Sequence, residues 1–175
     1  MEVSFSQSRY GVLPNVVLPL DVEISYDPGD PTDLFSYGVR MLPEAGTPFT
    51  VHAITVPAEL DFFGAAGAPA LIDLDPAVIG VKGTVDVEAV PQVNYGGAGI
   101  ATFNLSFQTE GTYDLDLDFF RTLGPTEDVF FAGDRTLLDP GMRFVGTTVT
   151  VPEPATAYLV LMGLACCLLR VKRRR

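Results

Sequence analysis

The chain has 175 residues, enough for one substantial core and a tail, and carries 22 Asp and Glu against 11 Lys and Arg, with a single His and two Cys. Five of the basic residues fall at positions 170–175 and only Glu153 among the acidic ones follows residue 151, so residues 1–151 hold 6 basic and 21 acidic side chains, a net charge of −15. That charge argues against nucleic acid and anionic lipid surfaces as partners of the domain, and with no cysteine before Cys166 the domain has neither a disulfide framework nor a thiolate zinc site.

The first apolar run, from Val12 to Leu20, is interrupted by Pro14, Asn15 and Pro19 and follows no basic region, so it lacks the form of a secretory signal peptide. The C-terminal features described below imply export, which needs one; the expectation is that the natural start lies upstream of Met1 or that the gene is a fragment. Leu20, Val22, Ile24 and Tyr26 alternate with Asp21, Glu23 and Ser25, the period of a half-buried strand, and Pro28, Gly29 and Pro31 end it. A second strand places Phe35, Tyr37, Val39 and Met41 inward and Ser36, Gly38 and Arg40 outward, stopping near Pro43. Phe49, Val51 and Ala53 start a third whose phase moves to Ile54 and Val56, which predicts a bulge.

Residues 64–69 form a small-residue loop, and 72–81 fit two very short strands around Asp75-Pro76. Alternation returns at Val85, Val87 and Ala89. It returns again at Phe103, Leu105 and Phe107 after the turn 96–99, and Glu110-Gly111 connects tightly into Tyr113, Leu115, Leu117 and Phe119. Residues 129–131 and 142–151 supply the last pieces. No window before residue 155 has a helical period. Short strands between Gly and Pro turns predict an all-β fold, a single antiparallel β-sandwich, over residues 1–151.

Candidate chemistry in this domain is sparse. His52, the one histidine, alternates with Thr50 on the outer side of a strand and has no cysteine to activate; there is no Gly-x-Ser-x-Gly elbow, and Gly97-Ala98-Gly99 precedes a strand where a phosphate loop needs a helix. A glycosidase-type carboxylate pair cannot be selected by spacing, and the chain has no tryptophan to stack on sugar. The expectation is a protein without catalytic residues. Asp27, Asp30 and Asp33, in a loop broken by Pro and Gly, could converge on calcium although they do not follow the EF-hand pattern; no other cofactor is expected. Asp114, Asp116 and Asp118 form one outward row that repels itself unless a cation lies across from it. For both groups the competing reading is solvated surface charge. Asn104-Leu105-Ser106 has the form of a glycosylation sequon, which on a strand reads as chance.

The tail begins with Pro152-Glu153-Pro154. The fifteen residues 155–169 then carry no charge, and Arg170, Lys172, Arg173, Arg174 and Arg175 follow. At about 1.5 Å per residue such a helix covers roughly 22 Å, short against a hydrocarbon core of about 30 Å. Tyr158 at one end and the stems of Arg170 and Lys172 at the other extend its reach, and the basic cluster places the domain on the non-cytoplasmic side. Cys166 and Cys167 read as small apolar filler within it. Two prolines hold an extended backbone that cannot continue the helix backwards, and the carboxylate between them is a specific handle.

This order of tripeptide, short transmembrane helix and Arg-rich end resembles the PEP-CTERM sorting signal, with Pro152, Glu153 and Pro154 matching its signature. The resemblance covers residues 152–175. It implies recognition by exosortase, a membrane-embedded processing enzyme, and an association with export and exopolysaccharide production. The strands at 35–42 and 49–56, and those at 100–107 leading through Glu110-Gly111-Thr112-Tyr113 into a final alternating strand, resemble the cohesin-like sandwich of exported bacterial proteins. A generic jelly-roll or immunoglobulin-like sandwich fits the same pattern. Cohesins bind dockerin modules in cellulosomes; no residue here identifies such a partner.

Together these readings predict a non-enzymatic surface or matrix protein. The tail holds it in the inner membrane with the domain in the periplasm, and processing then passes it to the cell surface or exterior, associated with exopolysaccharide, biofilm or another surface protein. The alternatives are a small carbohydrate-binding or carbohydrate-active module and an unprocessed tail-anchored periplasmic protein.

Overall fold

The computed structural model describes residues 1–26, 34–61, 69–75, 78–84 and 98–153. Among them lie twelve strands: β1 (Glu2–Phe5), β2 (Arg9–Gly11), β3 (Val17–Ser25), β4 (Leu34–Pro43), β5 (Phe49–Thr55), β6 (Leu71–Asp73), β7 (Gly80–Thr84), β8 (Ala98–Phe107), β9 (Gly111–Phe119), β10 (Phe131–Ala132), β11 (Arg143–Val145) and β12 (Thr147–Val151). The only helical pieces described are two 3-10 turns, Ala58–Leu60 and Asp139–Gly141. One sheet runs β11-β1-β3-β8-β5 and the other β2-β12-β9-β4-β7-β6, with β10 against β4.

Period-two alternation places the core as expected. Leu20, Val22 and Ile24 from β3, Phe103, Leu105 and Phe107 from β8, Tyr37, Val39 and Met41 from β4, and Leu115 and Leu117 from β9 are all buried between the sheets. Phe107 stacks on Tyr113 across the two sheets, with ring centroids 5.2 Å apart. The Tyr113 hydroxyl donates back to the carbonyls of Thr109 and Glu110, which ties down the β8–β9 connection.

The first and last strands of the sandwich change sheets at the same level. β1 pairs antiparallel with β3 in the first sheet, and after Ser6-Gln7-Ser8 the chain re-enters as β2, parallel to β12 in the second. β11 runs parallel to β1, and after Gly146 the chain continues as β12 in the opposite sheet. The buried Thr147 hydroxyl donates to the Gln7 carbonyl at 2.9 Å and joins the two crossings. The expected single piece over 142–151 is therefore two strands divided by a switch. Gly146 permits it, since a Cβ there would lie 2.5 Å from Asp116 Oδ1 and 2.6 Å from the Leu115 carbonyl.

Three details depart from simple alternation. The expected bulge in β5 falls at His52, because Val51 pairs with Leu105 and Ala53 with Asn104. Ser36, expected outward, is buried with its hydroxyl on the Val129 carbonyl, and Gly38 is buried against the Val129 side chain. Phe35, expected inward, is only half-buried, with the Arg135 guanidinium 4.8 Å above its ring. The cause is common to Ser36 and Gly38: after β9 the chain leaves the sheet through 120–130 and returns as β10 beside the first half of β4. The strand expected at Val85, Val87 and Ala89 lies outside the described residues.

Candidate functional site

β9 alternates strictly, so burying Tyr113, Leu115 and Leu117 sends Asp114, Asp116 and Asp118 to the outer face of the second sheet. β9 is flanked by β12 and β4, and the register decides what each carboxylate faces. Asp114 sits opposite Thr148, whose hydroxyl donates to its Oδ1 at 2.9 Å. Asp116 sits opposite the exposed Leu42 and beside Gly146. Asp118 sits opposite Arg40, which donates from Nε at 3.2 Å and from Nη2 at 2.5 Å. The cation that this acidic row requires is thus Arg40, one strand away.

On the neighbouring strand β7, Lys82, opposite Gly38, forms an ion pair with Glu127 from the 120–130 excursion. Burial by itself would raise the Glu127 pKa, yet its hydrogen bonds from Lys82 and from the backbone N–H groups of Leu123 and Thr122 outweigh that and hold the carboxyl below its ordinary value. Arg121 lies 4.1 Å above the Phe119 ring and donates to the Glu127 carbonyl, while Asp139 accepts from the N–H groups of Val129 and Phe130. These contacts fold the excursion onto the edge of the face. The face is therefore a mixed-charge surface: the exposed carboxylates of Asp114 and Asp116, an exposed leucine, the Arg40–Asp118 pair and the Thr148 hydroxyl.

At the opposite sheet, bulging turns the exposed His52 towards Ser106, with Nε2 2.8 Å from Oγ. Among the described hydrogen bonds none joins His52 to a carboxylate, and Ser106 is buried near the end of β8 between β3 and β5, so the contact lacks an orienting acid. Among the described residues no group of three or more His, Cys, Asp or Glu side chains is placed to hold a metal ion. Asp27, Asp30 and Asp33 lie outside the described residues.

The tail leaves from β12. Thr150 pairs with Gly11 and Thr112, Val151 with Gly111, and Pro152 follows, unable to donate to a further ladder bond. Pro152 is half-buried and Glu153 exposed at the strand end. Pro154, the apolar run and Arg170, Lys172, Arg173, Arg174 and Arg175 lie outside the described residues. Among those described, no helix is long and apolar enough to cross a membrane.

Sequence reasoning placed the Asp114 row outward and found the condition it must meet, but not the residue that meets it. The signal available was Arg40, outward on its own strand; only the β4–β9 register aligns it with Asp118. The Lys82–Glu127 pair carried no sequence signal, since 45 positions separate its members.

Residues 150–175 match the family model for the PEP-CTERM protein-sorting motif. No curated protein is similar to the chain in sequence. Among solved structures, the fold is similar to the seventh ScaB type I cohesin from Pseudobacteroides cellulosolvens, at 11% identity and a TM-score of 0.61 over 87% of this chain and 92% of that one. It is also similar to the cohesin CaCohA2 from Clostridium acetobutylicum, at 15% identity and a TM-score of 0.59 over 87% and 92%. A third is Coh-OlpA from Clostridium thermocellum, solved in a type I cohesin–dockerin complex, at 10% identity and a TM-score of 0.58 over 87% and 100%. A motif of this kind implies exosortase-dependent export. The chain thus joins a cohesin-type β-sandwich fold to a C-terminal PEP-CTERM protein-sorting motif.

Proposed function

We propose that this is an exported, non-enzymatic binding module, organised as a sandwich over 1–151 and a sorting segment over 152–175. Residues 155–169 hold the precursor in the inner membrane with the domain in the periplasm. An exosortase-type enzyme recognises Pro152-Glu153-Pro154 and releases the domain to the cell surface or exterior. There it takes part in an exopolysaccharide-associated matrix by binding another surface protein. The observation that carries this reading is the sorting motif starting on the last strand of a cohesin-type fold, whose solved neighbours include a complex with a dockerin.

The outer face of β9, β4 and β12 is the surface best suited to such a partner. Asp114 and Asp116 offer open carboxylates around Leu42, a combination that fits a basic protein surface with an apolar anchor. A photo-crosslinking residue at Leu42, expressed in an exosortase-bearing host, tests it. The expected result is a cross-link to a discrete protein that is lost when Asp114 and Asp116 are both changed to Lys. Cross-links only to polysaccharide, or a protein adduct indifferent to the charge reversal, would overturn the assignment.

A further inference from the structure

Between Arg9 and Asp21 the chain carries no charged residue. This is the apolar run that does not form a signal peptide, and only part of it enters the core. Leu20 is fully buried, but Leu13 and Val16 are each 48% exposed and Val17 is 47% exposed. Scattered exposed apolar side chains need no explanation; three within five residues at one end of the molecule do.

Two of them flank a hydrogen-bonded turn. The Val16 N–H donates to the Leu13 carbonyl, Pro14 occupies the second turn position and Asn15 the third with φ 61°, the pattern of a type II turn. Asn15 is tied to the Phe107 carbonyl at 2.8 Å. The turn therefore has little freedom to fold its two apolar ends back onto the domain.

Its position supplies the occupant. Val12 donates to the Thr150 carbonyl, and Gly11, Val12, Leu13, Thr150 and Pro152 line one shallow apolar pocket, so the turn lies beside the exit of the tail. Only Pro152, Glu153 and Pro154 separate β12 from the uncharged run that starts at Ala155. Four Cα steps of extended chain span at most about 14 Å. The headgroup layer on one side of a bilayer is roughly 5–7 Å thick, so an inserted tail holds this end of the sandwich at the membrane surface.

We propose that the turn formed by Leu13, Pro14, Asn15 and Val16 is a membrane-docking point. While the tail is in the bilayer, Leu13, Val16 and Val17 rest in the apolar edge of the headgroup layer beside it and fix the orientation in which Pro152-Glu153-Pro154 meets its processing enzyme. The inference rests on the tail being membrane-inserted, as in the function proposed above. Glu44, Glu110 and Glu153 belong to the same end of the domain and are repelled by anionic lipid, so the contact is apolar in origin and forms on a zwitterionic bilayer.

The test uses the full chain with Cys166 and Cys167 changed to Ser, reconstituted into phosphatidylcholine vesicles. Single cysteines carrying a small fluorophore are placed at Leu13, Val16, Leu123 or Leu161, the last within the uncharged run. Leu123 is the control: it is 87% exposed and apolar, but it follows the far end of β9, a strand of nine residues that spans roughly 30 Å from the tail exit. Acyl-chain brominated lipid is expected to quench Leu161, Leu13 and Val16 and to leave Leu123 unchanged. Quenching at Leu161 with Leu13 and Val16 no different from Leu123 would overturn the docking point and leave the anchor standing. No quenching at Leu161 would refute the anchor and the docking point together.

Discussion

Replacing Gly146 by Ala probes the place where the C-terminal strand changes sheets. The added Cβ would stand 2.6 Å from the Leu115 carbonyl oxygen and 3.3 Å from the Asp116 Cα, both backbone atoms of a central strand, as well as 2.5 Å from Asp116 Oδ1. The side chain of Asp116 can turn away into solvent, but the Leu115 carbonyl is held by β9 and cannot. Either β12 moves off β9 or the switch opens, and overpacking of this kind costs about 1–3 kcal/mol. For a domain of this size each kcal/mol lowers Tm by roughly 2–4 °C, so the variant should melt about 2–12 °C below the parent. The assay is thermal unfolding by circular dichroism of the full chain in mild detergent. Gly141→Ala is the matched control, because nothing lies within 4 Å of its Cβ position. If the two variants melt together, the close approach at Gly146 does not constrain the fold and the reasoning fails.

Glu127→Gln should change how stability depends on pH. The Glu127 carboxyl is held below its ordinary value in the folded chain, so it contributes stability above the unfolded carboxylate pKa and loses it as pH falls through the lower, folded pKa. The parent should therefore be the more stable of the two at pH 7, and the gap should close on acidification below about pH 4.5; a gap independent of pH refutes the assignment. Arg40→Ala removes the cation facing Asp118, yet both side chains of that pair are about one-third exposed, 36% and 34%, so the loss should be no more than about 1 kcal/mol and should shrink in high salt. A larger, salt-independent loss in denaturant unfolding would mean that Arg40 acts through packing. Changing Pro152, Glu153 and Pro154 together to Ala should leave an uncut precursor in the inner membrane of an exosortase-bearing host. Intact mass distinguishes this from normal processing, and recovery of chain ending at Arg175 from the exterior would show that the tail is not the sorting signal.

What could be read from the chain alone is whatever is encoded within a few residues. Leu20, Val22 and Ile24, Phe103, Leu105 and Phe107, and Tyr113, Leu115 and Leu117 declare strands and their inner faces, because a pleated backbone sends alternate side chains to opposite sides wherever the strand is placed. The change of phase between Ala53 and Ile54 declared a bulge in this strand for the same reason, and the tail motif is contiguous and so fully legible. Pairing is a different kind of information. That β1 runs parallel to β11, that Gly146 carries one strand into the other sheet, that residues 120–130 cover Ser36 and Gly38, and that Arg40 rather than solvent answers Asp118 all depend on groups 30 to 141 positions apart. No local pattern records such a distance; closing those loops takes the combined burial of both sheets, and the partners are chosen only when the whole core forms.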